Sequence, residues 1–408
     1  MTITGKTVIT GRIVPWKRGN EKGGSWTDSP KKNKIEKITA GRQTYGGEGD
    51  AMNPTLKRIL NALLIIASLS AVFIIAFSNT ELKDAWGALR QMDLRWALCI
   101  VLCYVAYMGF ESLGTLLYLR GQGFKISAGR TLIATLIGYY YCNITPGAAG
   151  GQPMQINSLR KAGIPVGYGT VAVSIRFIAN QFMVCLLSLV LLLVNREFVY
   201  QQLGDAIWFV RIGWVINFAS VPLVLLAAFK RTWVQKLAVA VINLGCRLHL
   251  IRDKETVTAR VTDTLDTYHM AMKDMFRSVG RIITQLLCSA GSILGLISMV
   301  VFVYYAFHQS GTSWFRLLTL GALLFVSASY TPLPGASGAQ EGGFMLYFRG
   351  IFKDGTIGLA LLTWRFFNYY LTLIVGAITL LIEKMAVKKS IQSPQTNELP
   401  NEDETSQK

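Results

Sequence analysis

Two arginines stand inside apolar runs where a charge is costly. Arg176 is followed by Phe177 and Asn180, and Arg365 by Phe366, Asn368, Tyr369 and Tyr370. A charged side chain at mid-bilayer costs about 2.5–3.5 kcal/mol on insertion scales. Each arginine must therefore face a partner, a cavity or a ligand. A guanidinium is a planar fork that matches phosphate, so one reading is that both grip a lipid phosphate. The other is internal pairing with Glu111 or Glu341, which would hold the bundle together. Glu341 could also take up a proton or stand solvated outside, and Glu111 could be a proton site or lie near the cytoplasmic end of its helix. Asn180, Asn368 and the two tyrosines lie within about a turn of the arginines and could line the same cavity.

Upstream of each arginine the apolar sequence is broken by the same motif. Slid by 188 positions, Pro146 falls on Pro334, Gly147 on Gly335, Ala148 on Ala336, Gly150 on Gly338 and Gln152 on Gln340. The echo continues to Arg176-Phe177 and Arg365-Phe366. Paired helix breaks in corresponding halves of a membrane chain point to a transporter binding site. Pro146, Gly147, Gly150, Gly151, Pro153, Pro334, Gly335 and Gly338 would supply tight turns and close backbone approach, with exposed amides able to nest anionic oxygens. Asn143, Thr145, Gln152, Thr331 and Gln340 add uncharged hydrogen-bonding groups. Tight packing through small residues is the competing role for the glycines.

Other chemistries find little support. His249, His269 and His308 are scattered, and no histidine pair has metal spacing. No Walker motif and no nucleophile–base constellation stands out, and no cofactor or metal is expected. The six cysteines (Cys99, Cys103, Cys142, Cys185, Cys246, Cys288) form no CxxC and read as free thiols in apolar runs. The net charge of +18 sits in tails and particular loops, so positive-inside bias explains it and nucleic acid is not expected.

The elements that must carry these residues belong to an all-α polytopic membrane protein, since half of the 408 residues are hydrophobic in runs near bilayer length. Residues 1–51 are a basic extension expected to be disordered, or a mis-assigned start before Met52. A membrane domain spans 52–386, with repeat units at about 94–194 and 279–383, and 387–408 form a polar tail. Full spans are expected near 59–77, 96–118, 166–194, 207–229, 281–307 and 356–382. Residues 195–206 are expected to be an outside loop. Helical periodicity from Trp233 to Phe276 predicts two amphipathic helices on the inner face. Basic links on both sides of 131–153 suggest a segment that dips in and returns, and 315–341 would do so from the other side. The expectation is six spans plus two re-entrant segments in an inverted repeat, both termini cytoplasmic. Eight spans with parallel repeats fit the charges equally well.

With both motifs in hand, the chain resembles the membrane domain of the lysylphosphatidylglycerol synthetase/flippase family. This is the flippase-like N-terminal part of the multiple peptide resistance factor, in a stand-alone form. The matching residues are Thr145 to Pro153, Arg176, Thr331 to Glu341 and Arg365; Ala336 and Ala339 stand where the family often has glycine. The resemblance implies a bacterial cell-membrane protein moving anionic or aminoacylated phosphatidylglycerol between leaflets. In full-length relatives a separate soluble domain makes the aminoacyl lipid. The short tail after 385 leaves no room for it, so that chemistry is not expected of this chain alone. Two alternatives stay open: a phosphatidylglycerol lysyltransferase or a subunit serving one, and an ion-coupled solute transporter. Membrane phospholipid is the expected partner, with a separate lipid-modifying enzyme and a homo-oligomer left open.

Overall fold

The computed structural model describes residues 92–229, 254–353 and 355–392, with a few positions between 235 and 243. The extension 1–51, the expected span at 59–77, most of the first amphipathic segment from 233, Cys246, His249 and the tail from 393 lie outside the described residues. Among the described residues every regular element is helical.

Helix α1 (Leu94–Gly121) begins where the Asp93 carboxylate accepts the Arg95 N–H at 2.9 Å, an N-cap that satisfies a donor left orphaned by the helix start. A hairpin follows: α2 (Ala128–Ile144), a 3-10 turn at Pro146–Ala148, and α3 (Gly151–Lys161). Then come α4 (Val166–Val194), α5 (Arg196–Leu203), α6 (Ile207–Phe229) and α7 (Lys254–Phe276). Helix α8 (Val279–Ala306) leads into a second hairpin of α9 (Trp314–Ala328), a turn at Pro334–Ala336 and α10 (Ala339–Tyr347). Helices α11 (Ile357–Arg365) and α12 (Leu371–Gln392) run on through a π-helical segment, Phe366–Tyr370.

Among the described residues four helical stretches are long and apolar enough to cross a membrane: α1, α4, α8 and Ile357–Met385. Their outward faces expose Leu98, Leu193, Leu287 and Leu381, while Arg176, Arg365, Glu111 and Glu341 are buried. That inside-out distribution suits hydrocarbon as the surrounding solvent.

Helices α1 and α8 are antiparallel. The Asp93 N–H donates to the Ala306 carbonyl at 3.1 Å, and Gly291 and Gly295 lie against Phe110 and Tyr107. Small residues let the two backbones approach. Helix α6 runs antiparallel to α4, with Trp214 Nε1 donating to Ser188 Oγ at 2.8 Å and Gln181 Nε2 to Asn217 Oδ1 at 2.7 Å.

The hairpins enter from opposite ends. The open end of the first lies at the α7 face, where Gln122 Nε2 donates to Asp274 at 3.0 Å and Gly167 abuts Thr267. The open end of the second lies at the α5 face, where Gln202 Nε2 donates to the carbonyls of Tyr347 and Arg349 at 3.1 and 2.8 Å. With 11 residues, α3 rises only about 16 Å, half of a ~30 Å hydrocarbon core. Each hairpin turns back within the bundle and the two face opposite ways, which agrees with an inverted repeat of re-entrant segments.

One expectation needs correction. Residues 195–206 are not an irregular loop but α5 plus a 3-10 turn at Gly204–Ala206. Val199 and Leu203, one turn apart, are buried in the core, so the segment is an amphipathic helix lying across the bundle end.

Candidate functional site

The two turns share their backbone through the proline, glycine and alanine and then diverge, Ala149 being helical at ψ −28° where Ser337 is extended at ψ 143°. Pro146 lacks an N–H and stops α2 at Ile144, whereas α9 already ends at Ala328, ahead of Pro332 and Pro334; Thr145 and Leu333, each before a proline, are extended. Gly147 and Gly335 both have φ 59° and ψ 22°. Ala148 and Ala336 follow at φ 56° and 51°, left-handed without being glycine. Such non-glycine positions are strained and gather at functional sites.

The tips meet inside the bundle. The Gly147 N–H donates to the Pro332 carbonyl at 2.9 Å. The Tyr369 hydroxyl donates to the Asn143 carbonyl at 3.3 Å, and its ring closes over Gly335. Beside this junction lies a cavity of about 330 Å³, walled by α1, α4, α8, both tips and the π segment. Its polar wall includes Glu111, Asn143, Asn180, Gln181, Ser292, Gln340, Arg365 and Asn368.

Both arginines are paired, each within its own repeat. Arg365 Nε donates to Glu341 Oε1 at 2.6 Å, Nη1 to Gln340 Oε1 at 2.9 Å and Nη2 to the Gly335 carbonyl at 3.2 Å. Its guanidinium lies 4.7 Å from the Tyr369 ring centroid. The other oxygen of Glu341 accepts the Gly338 N–H at 2.6 Å, capping α10. Arg365 thus fastens the tip of its own hairpin. Arg176 Nη2 lies 2.9 Å from Glu111 Oε1, which also accepts from Asn180 Nδ2 at 2.7 Å and Ser292 Oγ at 2.8 Å. Arg176 Nη1 donates to Ser289 Oγ at 3.0 Å. A buried ion pair is tolerable only when such additional hydrogen bonds surround it.

Of the residues singled out from the sequence, Arg365, Gln340, Asn143, Asn180, Asn368, Glu111 and Gly335 line the cavity. Arg176 does not; it stands behind Glu111 and Asn180. Glu341 is fully buried rather than solvated, and Glu111 sits in mid-helix rather than at a helix end. Thr145 has a local role: Oγ1 donates to the Tyr141 carbonyl at 2.6 Å and accepts the Gly150 N–H at 2.9 Å. Gln152, Thr331, Pro146, Gly147, Gly150, Gly151, Pro153, Pro334 and Gly338 shape the hairpins without lining the cavity. Tyr370 likewise stands off it.

Sequence reasoning missed Gln181 and the α8 partners. Gln285, Ser289 and Ser292 recur at i, i+4 and i+7 within an apolar span, a polar stripe that marks a face turned inward. Gln181 belongs to a second network, in which Asn217 Nδ2 donates to Ser329 Oγ at 2.7 Å. The cavity wall therefore carries compensated charge and many neutral hydrogen-bonding groups. Asn368 Oδ1 is buried and accepts no hydrogen bond from the protein, leaving an acceptor for a ligand donor. Among the described residues no cluster of His, Cys, Asp and Glu could hold a metal ion, and five cysteines are free.

The family model described as lysylphosphatidylglycerol synthase TM region matches residues 59–376. A UPF0104 membrane protein of Archaeoglobus fulgidus is 23% identical over 339 residues, covering 79% of this chain and 97% of its own length. The family match includes both hairpins and both ion pairs.

Proposed function

Because the chain belongs to the lysylphosphatidylglycerol synthase TM region family, we propose that it moves a phospholipid between leaflets, the headgroup passing through the cavity between the hairpin tips. The substrate class is anionic or aminoacylated phosphatidylglycerol. The observation that carries this reading is a cavity, apolar over most of its wall but with a cluster of polar groups, at the meeting point of two hairpins that enter from opposite ends. Inverted re-entrant repeats around a mid-membrane site are the architecture of alternating access.

The residues divide the work. Asn143, Asn180, Gln181 and Asn368 offer neutral hydrogen bonds to headgroup hydroxyls, with the unpaired Asn368 oxygen as acceptor. Arg365 is the cation in the cavity wall and the candidate phosphate partner. Its Nη1 would exchange Gln340 for a phosphate oxygen while Nε stays on Glu341. Arg176 acts through Glu111 and Asn180 as a positioning residue. Charge bias supports an orientation in which the α7 face, where Arg120, Lys125, Arg130, Arg160 and Lys161 gather, lies on the cytoplasmic side of a bacterial cell membrane.

The test is reconstitution into vesicles carrying tail-labelled fluorescent phosphatidylglycerol, with dithionite bleaching of the outer leaflet. Wild-type protein should expose the inner pool far faster than empty vesicles do. Asn180→Leu and Asn368→Leu should slow this at least tenfold while remaining monodisperse. A wild-type rate equal to that of empty vesicles, with phosphatidylglycerol and with its lysyl ester alike, would overturn the reading.

A further inference from the structure

The stretch of α4 from Ile175 to Phe182 has two working faces. Phe177, Asn180 and Gln181 face the central cavity. Ile175, Ile178, Ala179 and Phe182 face the other way, into a separate groove of about 260 Å³. Val221 and Leu225 of α6 close one side of it, and Ile282 and Leu286 of α8 the other. Its walls present apolar atoms only. The groove starts at the junction of α7 and α8, lined there by Met275 and Phe276, and reaches mid-depth at Ala179 and Val221.

The mouth has a different chemistry. Phe276 is followed directly by Arg277, with Lys273 one turn before and Arg281 one turn after. Arg281 is paired with Asp274, so the cluster carries net positive charge. Arg277 and Lys273 are exposed. Lys and Arg at a membrane surface each attract anionic lipid by about 1 kcal/mol. A charge-free slot that opens at a basic rim fits an amphiphile with a long apolar tail and an anionic head.

We propose that this groove is a binding site for one acyl chain of an anionic phospholipid of the α7-side leaflet, its phosphate held at the Lys273–Arg277–Arg281 rim. The site is separated from the central cavity by the thickness of α4. Its lipid is a resident one that braces the helix bearing Arg176, not the molecule in transit. The inference does not depend on the translocation reading, because occupancy is measured without transport.

The test uses the full chain in vesicles of phosphatidylglycerol, or of phosphatidylcholine, each doped with the same lipid bearing a photoactivatable diazirine in its acyl chain. After illumination, peptide mass spectrometry locates the adducts. Adducts should concentrate on the 175–182, 221–225 and 282–286 segments, at least threefold more in phosphatidylglycerol. Ala179→Trp, which fills the slot, should remove these adducts and leave those on the exposed face of α1 unchanged. Arg277→Gln with Lys273→Gln should abolish the headgroup preference without lowering labelling in phosphatidylcholine. Adducts spread evenly over all outward faces, or groove labelling indifferent to Ala179→Trp, would overturn the proposal. So would disulfide cross-links between Ala179→Cys and cysteines placed in residues 230–253 of the chain. Groove labelling in a protein that moves no lipid would sink the translocation reading alone.

Discussion

Replacing Glu341 by glutamine separates the charge of the Arg365–Glu341 pair from its shape. Both side chains are at most 1% exposed, and the carboxylate accepts two hydrogen bonds of 2.6 Å, from Arg365 Nε and the Gly338 N–H. A glutamine of the same size has one oxygen for these two donors, so its NH₂ must face one of them. The guanidinium, 1% exposed, also loses its counter-charge. Removing one member of a buried ion pair costs about 3–5 kcal/mol. At roughly 2–4 °C per kcal/mol for domains of 150–250 residues, apparent Tm in detergent should fall by on the order of 10 °C. Removing both charges in Glu341→Gln/Arg365→Gln should recover much of that loss, because no lone charge remains and Gln340 can repack toward the new amides. The measurement is the monodisperse fraction after a temperature ramp, for wild type, both singles and the double. A single-variant loss below about 1 kcal/mol, or a double variant as unstable as the sum of the singles, would refute the argument that Arg365 fastens the hairpin electrostatically.

Two further outcomes follow from the geometry. Gly147→Ala and Gly335→Ala meet the same left-handed backbone, about 1–2 kcal/mol for an ordinary residue, but different surroundings. Nothing lies within 4 Å of a Cβ at 147, whereas one at 335 would stand 2.1 Å from Tyr369 Cε2, so only Gly335→Ala should sharply lower thermal stability. Equal losses would contradict the packing described at the junction. At the α7 face, hydrogen bonds from Gln122 and Arg281 hold the Asp274 carboxyl below its ordinary range. A depressed folded-state value stabilises above the unfolded pKa and is lost as pH falls through the folded one. The small penalty of Asp274→Asn at neutral pH should therefore vanish on acidification, and one that grew in acid would reverse the assignment.

The backbone was largely legible in the sequence, and the electrostatics were not. Pro146-Gly147-Ala148 and Pro334-Gly335-Ala336 announced two matching breaks because proline and left-handed glycine leave local traces. The expected spans 166–194 and 207–229 coincide with α4 and α6 end to end. The α5 helix escaped notice because Val199 and Leu203 offer only one turn of apolar periodicity. The arginines were found by their cost, and both candidate partners were named. Which glutamate met which arginine depends on how α1 lies against α4 and how α10 folds back on α11, and no local signal reports that. Symmetry also misled: slid by 188, Arg176 falls next to Arg365, but Glu111 falls on Met299 and Glu341 on Pro153. The arginines hold nearly matching places in the two repeats while their carboxylate partners do not, and one arginine lines the cavity where the other stands behind its wall.

The hydrogen bond between the hairpin tips runs from the amide of Gly147 to the carbonyl of Pro332. No side chain takes part, and Pro332 has no N–H to return. Alanine substitution cannot remove this particular bond, since every truncation leaves both atoms in place. Only proline at 147, or an ester in place of that amide, would cut it. A link written in main chain is specified by the shape of the turn, set here by Pro146 and the left-handed Gly147, so it constrains backbone conformation at the tip more than the identity of the side chains around it.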